Sequence, residues 1–164
     1  FRTIAFGEPL GGLEIGQGVV VRVTPLELRD EIEIKPIEQG YAPVVVVPIA
    51  LKNSTSGIWT TVNAMLDTGY SGSLSIPEIL SDELGLKRLG TREVEGLGGT
   101  MEVETANVEV KIQGLHVEQC ECYVTPNEIA PLVGLEIIKY FLTSITNEGC
   151  WMKPNLTFIA KQAA

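Results

Sequence analysis

Short apolar runs separated by glycine and other turn-forming residues constrain the fold more than any other feature of this sequence. Residues 44–47 are four consecutive valines, and Val108, Val110 and Ile112 alternate with charged or polar residues until Gly114. β-Branched residues and alternation with a period of two are typical of strands, and glycine marks the turns between them. The pattern therefore predicts an all-β chain.

The chain length and the composition agree with one compact, β-rich domain. Of the 164 residues, 45% are hydrophobic and 6% aromatic, with 17 glycines and 9 prolines. This mixture favours a fold with many turns over a helical bundle. We therefore expect strands to build the core.

Two segments have a helical pattern instead. In residues 75–85, Pro77 suits the first turn of a helix, acidic residues follow it, and Gly85 suits its end. A second helical stretch follows Gly134, over residues 135–141. The sequence thus predicts one or two short helices among the strands.

Two hairpins are also predicted. Gly96, Leu97, Gly98 and Gly99 lie between two β-type runs, a pattern that indicates a hairpin with a flexible tip. A last hairpin is expected around residues 147–149.

The sequence divides into three parts. Residues 1–42 contain a glycine-rich stretch and short β-type runs at residues 19–23 and 31–34, and we interpret them as an N-terminal arm or extension. Strand signals become dense after this point, so we expect the main domain over residues 43–152. Residues 153–164 are interpreted as a C-terminal tail.

Charge and hydropathy argue against two classes of partner. The formal net charge is −9, which opposes binding to a phosphate backbone. The longest apolar run, residues 44–51, is interrupted by Pro48 and falls far short of the roughly 20 residues that cross a bilayer. We expect no nucleic-acid partner and no membrane span in this chain.

The cysteine and histidine content argues against a disulfide framework and against a metal centre. The chain has an odd number of cysteines, Cys120, Cys122 and Cys150, which does not suit a disulfide framework. Its single histidine is His116, and a structural zinc site normally needs four cysteine or histidine ligands. We expect no metal, no cofactor and a reducing, cytoplasmic compartment.

One aspartate stands in a distinctive local context. An apolar strand pattern runs directly into Asp67-Thr68-Gly69, and the chain then turns through small residues such as Ser71. Glycine lets the backbone bend and approach closely, and small residues offer N–H and hydroxyl donors to a carboxylate. Taken alone, the tripeptide favours a plain turn over a functional site.

The longer segment DTGYSGSLSIP, at residues 67–77, resembles the active-site loop of retropepsin-like (clan AA) aspartic proteases. It is closest to the bacterial and archaeal group in which an aromatic residue follows DTG. Three further features occur in the family's order: the apolar strand before Asp67, the hairpin at residues 96–99, and an apolar-apolar-Gly signature at residues 132–134 followed by a helix. The resemblance covers about residues 44–151 and implies a closed acid-protease barrel with one lobe per chain.

The resemblance implies roles for the residues of this loop. Asp67 would be the catalytic carboxylate, and Gly69 would present its backbone N–H to it. The hydroxyl of Thr68 would lock two loops together across a dimer axis, and Ser71 would support the loop. Tyr70 replaces the small residue of viral retropepsins, which leaves the size of the pocket beside Asp67 open.

Two other segments receive roles in the same way. The hairpin tip at residues 96–99 would be a flap that closes over a bound peptide. Val133 and Gly134 would brace the active-site loop from behind.

The chemistry implied by the resemblance needs two carboxylates, but the chain has a single Asp-Thr-Gly. We therefore expect a homodimer that hydrolyses a peptide or protein substrate by general acid/base activation of water between two Asp67 carboxylates. Two alternatives stay open. The chain could be a catalytically inactive peptide-binding or dimerisation module, or the arm could be a pro-segment or an interface strand.

The remaining notable side chains have structural interpretations. Cys120 and Cys122 share one strand face and are expected to be buried thiols, since a cysteine nucleophile would need His116 as its base. His116 itself is expected to face solvent. Trp59 and Trp151 are expected in the core or in the dimer interface.

Overall fold

The computed structural model describes residues 44–96, 98–126, 128, 130–145 and 150–162, together with four short strands that lie before residue 36. Those four strands are β1 (Leu13–Ile15), β2 (Val19–Val23), β3 (Glu31–Ile32) and β4 (Ile34–Lys35).

The rest of the described chain is dominated by longer strands, with three short helices. In chain order the elements are β5 (Val44–Lys52), β6 (Trp59–Leu66), β7 (Leu74–Pro77), α1 (Glu78–Glu83), β8 (Arg88–Gly96), β9 (Gly99–Ile112), β10 (Leu115–Thr125), β11 (Leu132–Val133), α2 (Leu135–Ile138), β12 (Phe141–Ile145), β13 (Cys150–Pro154) and α3 (Leu156–Gln162). The predicted all-β class is confirmed.

Most strands belong to one large sheet whose pairings close on themselves. The order β10-β7-β11-β6-β5-β9 is followed by direct pairing of β9 with β10, so these six strands form a closed circuit. β8 extends the sheet beyond β9 as the outer strand of a hairpin. A separate sheet has the order β12-β13-β3.

The alternating pattern in β9 sets the core. Val108, Val110 and Ile112 are buried, and the chain then reverses at Gln113 and Gly114, whose φ angles are 45° and 81°. Burial of each such side chain contributes roughly 1.5–3 kcal/mol. Other fully buried apolar side chains are Val47, Ile49, Leu51, Leu74, Ile76, Leu115 and Met152.

Both predicted helices are shorter than expected. Ser75 and Ile76 belong to β7, because this segment pairs in parallel with β10, and α1 begins only at Glu78. Helix α2 ends at Ile138, and Phe141 already belongs to β12. In both places, pairing with another strand, β10 for β7 and β13 for β12, satisfies backbone groups that a local pattern assigned to a helix.

The terminal segments make contacts with the main domain. β2 pairs with β10, β4 pairs with β5, and β3 pairs with β13. β13 extends through Pro154, and α3 buries Ile159 completely. The sequence did not predict this third helix. The turn predicted at residues 147–149 lies outside the described residues, between the antiparallel strands β12 and β13.

The prediction of a solvent-facing His116 is wrong. Its side chain is 13% exposed, and its Nε2 lies 2.7 Å from Oε1 of Glu109. The Trp59 ring stands edge-on to the imidazole at 5.7 Å between centroids. Alternation along β10 correctly placed His116 on the face opposite the core, but the side chains of Glu109 on β9 and Trp59 on β6 contact the imidazole there.

Cys120 and Cys122 are buried, as predicted, and so is Cys150. Trp59 and Trp151 are both half-buried. Within the part of the chain that is described, no helix is both long and apolar enough to cross a bilayer.

Candidate active site

Asp67 comes directly after β6, and its position is set by the two-residue strand β11. β11 is parallel to β6 on one side and antiparallel to β7 on the other. The backbone N–H of Asp67 donates to the carbonyl of Val133 at 2.9 Å, and that of Met65 donates to the carbonyl of Pro131 at 2.8 Å. These bonds fix the position at which β6 ends and the loop that begins with Asp67 starts.

The Asp67 carboxylate is held within its own loop. The backbone N–H of Gly69 donates to Oδ1 of Asp67 at 2.8 Å. A Cβ on Gly69 would lie 3.2 Å from the same oxygen, so glycine keeps this space open. Asp67 is half-buried, whereas Thr68 and Ser71 are exposed. The carboxylate thus combines a fixed orientation with access from outside.

The start of α2 holds the loop from behind. The backbone N–H of Gly134 donates to the carbonyl of Ser73 at 2.9 Å, and that of Leu135 donates to the carbonyl of Tyr70 at 2.8 Å. The N–H of Glu136 reaches the carbonyl of Gly72 at 3.2 Å. The first N–H groups of a helix have no partner inside the helix, and here they bind the carbonyls of the loop.

Val133 and Gly134 lie directly behind these contacts. Val133 is completely buried. A Cβ on Gly134 would lie 2.8 Å from the carbonyl oxygen of Tyr70 and closer still to that of Gly72. Real Cβ atoms essentially never come within 3.0 Å of another heavy atom, so glycine is required here by space alone.

The glycine-rich hairpin joins β8 to β9. Gly96 pairs with Gly99, whose φ of +104° is strained for any other residue. Gly98 is exposed, and the predicted tip residue Leu97 lies outside the described residues. An ion pair between Arg92 and Glu121, at 2.9 Å, ties the hairpin to β10.

One polar contact near the loop was missed by the sequence analysis. The buried hydroxyl of Ser75 donates to Oε2 of Glu128 at 2.7 Å and lies 3.3 Å from the hydroxyl of Thr125. These residues are about fifty positions apart in sequence. No local pattern could have found the contact, because it depends on the parallel pairing of β7 with β10.

The site thus contains one accessible carboxylate, that of Asp67, with the backbone N–H of Gly69 as its donor. The loop that carries it is hydrogen-bonded to the start of α2. Such a carboxyl group can accept or donate a proton. Among the described residues, no cluster of three or more His, Cys, Asp or Glu side chains is arranged to hold a metal ion.

The solved structures that resemble this one include a retropepsin-like aspartic protease. That protein, from Rickettsia conorii, superimposes with a TM-score of 0.51 at 16% sequence identity, and the match covers 76% of this chain and 92% of that chain. At this identity the likeness shows the fold: one retropepsin-like lobe.

Two viral proteases superimpose less closely. The EIAV protease in complex with the inhibitor HBY-793 has a TM-score of 0.45 at 20% identity, covering 64% of this chain and 92% of its own. The simian foamy virus (mac) protease has a TM-score of 0.42 at 19% identity, covering 58% of this chain and 92% of its own. A search of curated proteins gives no match.

A family model described as "Aspartyl protease" matches residues 47–137. The matched segment contains Asp67, the glycine-rich hairpin and Gly134, and it spans more than half of the 164 residues. The chain therefore belongs to the aspartyl protease family and has a retropepsin-like fold.

Proposed function

We propose that this protein is an aspartic endopeptidase that acts as a homodimer, with one Asp67 contributed by each chain. The observation that carries the proposal is the Asp67 carboxylate itself. It is oriented by the N–H of Gly69 at 2.8 Å, it is only half-buried, and its loop is supported through Gly134. The chain supplies one such loop, so a second copy must supply the other.

Two carboxylates brought close together cannot both ionise cheaply, so the pair shares one proton over a range of pH. The charged carboxylate takes a proton from water while the protonated one donates to the carbonyl oxygen of the peptide. The water oxygen then bonds to the carbonyl carbon. When the carbon–nitrogen bond breaks, a proton passes to the departing amine. Activity is expected to peak at acidic to mildly acidic pH.

An extended peptide is the substrate that this geometry suits. A peptide in strand conformation can add its backbone hydrogen bonds to protein backbone and place alternate side chains in pockets. The β8–β9 hairpin, with its exposed glycines Gly96, Gly98 and Gly99, is proposed to close over the peptide as a flap. Closure would exclude water from the pair of carboxylates.

Several exposed groups support the association of two chains. Thr68, beside the catalytic residue, is exposed in the single chain. Leu142 and Ile145 are exposed apolar residues of β12, which ends its three-stranded sheet. A terminal strand with exposed apolar side chains is a ready site for pairing with another chain, and we propose that it contributes to the dimer interface.

The decisive experiment measures peptide cleavage and oligomeric state on the same sample. Wild-type protein is expected to be dimeric and to cleave a fluorogenic peptide library at acidic pH. Asp67→Asn should lower kcat by at least about a thousandfold, because it removes the group that activates water. Glu78→Gln, which alters an exposed carboxyl group of α1, serves as the matched control and should leave the rate unchanged.

The same experiment separates this proposal from an inactive peptide-binding or dimerisation module. Equal turnover by wild type and Asp67→Asn, or none by either across the acidic range, would favour the module. A monomer that still cleaves peptides would contradict the two-chain mechanism.

A further inference from the structure

The side chain of Tyr70 turns inward, beneath the active-site loop. Its hydroxyl donates to the carbonyl of Leu74 at 3.3 Å, and its ring lies 6.1 Å from the ring of Tyr123 on β10. The side chain therefore spans the inside of the loop from Tyr70 to the first residue of β7.

The ring occupies the space that a side chain at Gly72 would need. A Cβ on Gly72 would lie 2.5 Å from Cζ and 2.8 Å from Cε2 of Tyr70, and closer still to the hydroxyl oxygen. The obstacle at Gly72 is thus the outer end of the tyrosine ring. The loop closes over the ring at this point.

The inner part of the same ring lies against Gly134. A Cβ there would come within 2.5 Å of Cδ1 of Tyr70. The backbone carbonyl of Tyr70 also accepts a hydrogen bond from the N–H of Leu135 at 2.8 Å. The backbone N–H of Tyr70 donates to the carbonyl of Asp67 at 3.3 Å. One residue therefore links the loop, β7, the start of α2 and the residue that carries the catalytic carboxylate.

The surroundings of the Tyr70 hydroxyl favour its protonated form. Burial raises the pKa of Tyr70 well above its ordinary value, and the neighbouring Tyr123 raises it further. A tyrosine hydroxyl is already protonated in the acidic and neutral range at its ordinary pKa of about 10, so the Tyr70 hydroxyl stays a hydrogen-bond donor to Leu74 there.

We infer that Tyr70 is a positioning residue for Asp67: its ring fills the interior of the loop and holds the catalytic carboxylate at the height and angle that pairing with a second carboxylate requires. This inference rests on the proposed function. In a pair of carboxylates that share a proton, a displacement of about 1 Å can cost about a hundredfold in rate. The interior filling of the loop is therefore expected to control kcat and the pH profile.

The first test compares Tyr70→Phe with Tyr70→Leu. Phenylalanine keeps the ring and loses only a long hydrogen bond, so kcat should stay within about threefold of wild type. Leucine keeps the atoms that face Gly134 but removes Cε2, Cζ and the hydroxyl. Its kcat is expected to fall about ten- to a hundredfold, with a smaller change in KM and a shifted pH profile of kcat/KM.

The second test uses the contact between the ring and Gly72. Gly72→Ala in the wild-type background should lose most activity and lower the unfolding midpoint, because the new methyl group meets the ring. In the Tyr70→Leu background the same substitution should cost little further activity, because the obstructing atoms are gone. This non-additivity is the signature of a direct contact.

Gly134→Ala is the matched control. Its nearest obstacle is the backbone carbonyl of Gly72, followed by the inner ring and the carbonyl of Tyr70. Since leucine at position 70 removes neither carbonyl, Gly134→Ala should be equally damaging in both backgrounds. Thermal unfolding of every variant, with assays run well below the lowest midpoint, separates loss of activity from loss of folded protein. If Tyr70→Leu does not fold, Tyr70→Met, whose flexible side chain adapts to irregular space, replaces it.

The outcomes distinguish this inference from the proposed function. Absence of Asp67-dependent cleavage by the wild type would remove the proposed function, and the inference with it. Asp67-dependent cleavage by the wild type, together with wild-type kcat and pH profile in folded Tyr70→Leu, would overturn the inference alone. Equal damage by Gly72→Ala in both backgrounds would also overturn it.

Discussion

At the scale of single residues, the conformation of the candidate active-site loop depends on free space at two glycines and on backbone N–H donors. Gly69 leaves room beside the carboxylate and donates to it, whereas Gly134 leaves room for two backbone carbonyls. The sequence pointed to both glycines through a family resemblance. It gave no indication that Tyr70 fills the loop, because the direction of a side chain in an irregular segment depends on the surrounding elements.

A second residue-scale feature is the ion cluster around Glu109, which is independent of the active site. Burial raises the pKa of Glu109, but hydrogen bonds with Lys52 and His116, each at 2.7 Å, outweigh burial and hold the pKa below its ordinary value. A lowered carboxyl pKa means that the charged form stabilises the fold. This contribution is present above the pKa of the unfolded chain and is lost as the pH falls through the lower pKa of the folded protein.

We therefore predict that Glu109→Gln lowers the free energy of unfolding by about 1 kcal/mol at neutral pH. The difference from wild type should begin to shrink as the pH falls below about 4.3, the ordinary pKa of a glutamate, and should be lost as the pH falls further through the lower pKa of the folded protein. Urea unfolding at several pH values measures the effect, with the exposed Glu78→Gln as the control. A difference that grows toward acid pH would contradict the assignment.

At the scale of elements, the decisive arrangement is the insertion of β11 between β6 and β7. Two residues, Leu132 and Val133, pair with both strands, although about 65 residues separate them from β6. The sequence pattern identified the apolar-apolar-Gly segment and the strand that leads to Asp67. Their adjacency is a long-range pairing, which no local periodicity encodes.

The β8–β9 hairpin provides a prediction with a built-in control. A Cβ would meet nothing within 4 Å at either Gly98 or Gly99, but only Gly99 has a positive φ, +104°. A non-glycine residue in such a conformation costs roughly 1–3 kcal/mol. Gly99→Ala should therefore lower kcat/KM for peptides clearly more than Gly98→Ala does. Equal effects of the two substitutions would argue against a flap of this shape.

The N-terminal strands lead to a different prediction. β2 pairs with β10, β3 with β13 and β4 with β5. Deletion of residues 1–42 would therefore leave β10, β13 and β5 without these partners. We expect the truncated protein to unfold at a lower temperature and to cleave peptides no faster than the full chain. Faster cleavage after truncation would instead identify the segment as an inhibitory pro-segment.

At the scale of the whole molecule, charge opposes the proposed association of two chains. Each chain carries 21 acidic and 12 basic residues, a formal net charge of −9, so two copies repel each other at neutral pH. Protonation of carboxyl groups at acid pH and screening by salt both weaken this repulsion. Dimerisation and activity should therefore increase together toward acid pH and with added salt.

The proposed dimer interface can be tested with a matched pair of substitutions. Leu142 on β12 and Leu89 on β8 are apolar residues of similar exposure, 51% and 55%. Leu142→Asp should shift the protein toward monomer and lower specific activity at a fixed chain concentration. Leu89→Asp adds the same charge and should leave both unchanged. Sedimentation velocity and peptide cleavage across a dilution series measure the two effects, and unaltered dimerisation of Leu142→Asp would exclude β12 from the interface.

The sequence by itself determined the fold class, the strand that leads to Asp67 and the hairpin between Gly96 and Gly99, and it pointed to the loop after Asp67 as the candidate active site. These features follow from local periodicity, from glycine positions and from a contiguous motif, all of which involve neighbouring residues. Only the tertiary structure decided that Ser75 and Ile76 are strand, that His116 is covered and paired with Glu109, and that the Tyr70 ring fills the loop. Each of these depends on which other strand or loop lies alongside, since pairing and burial are set by the competition among all elements for the same core.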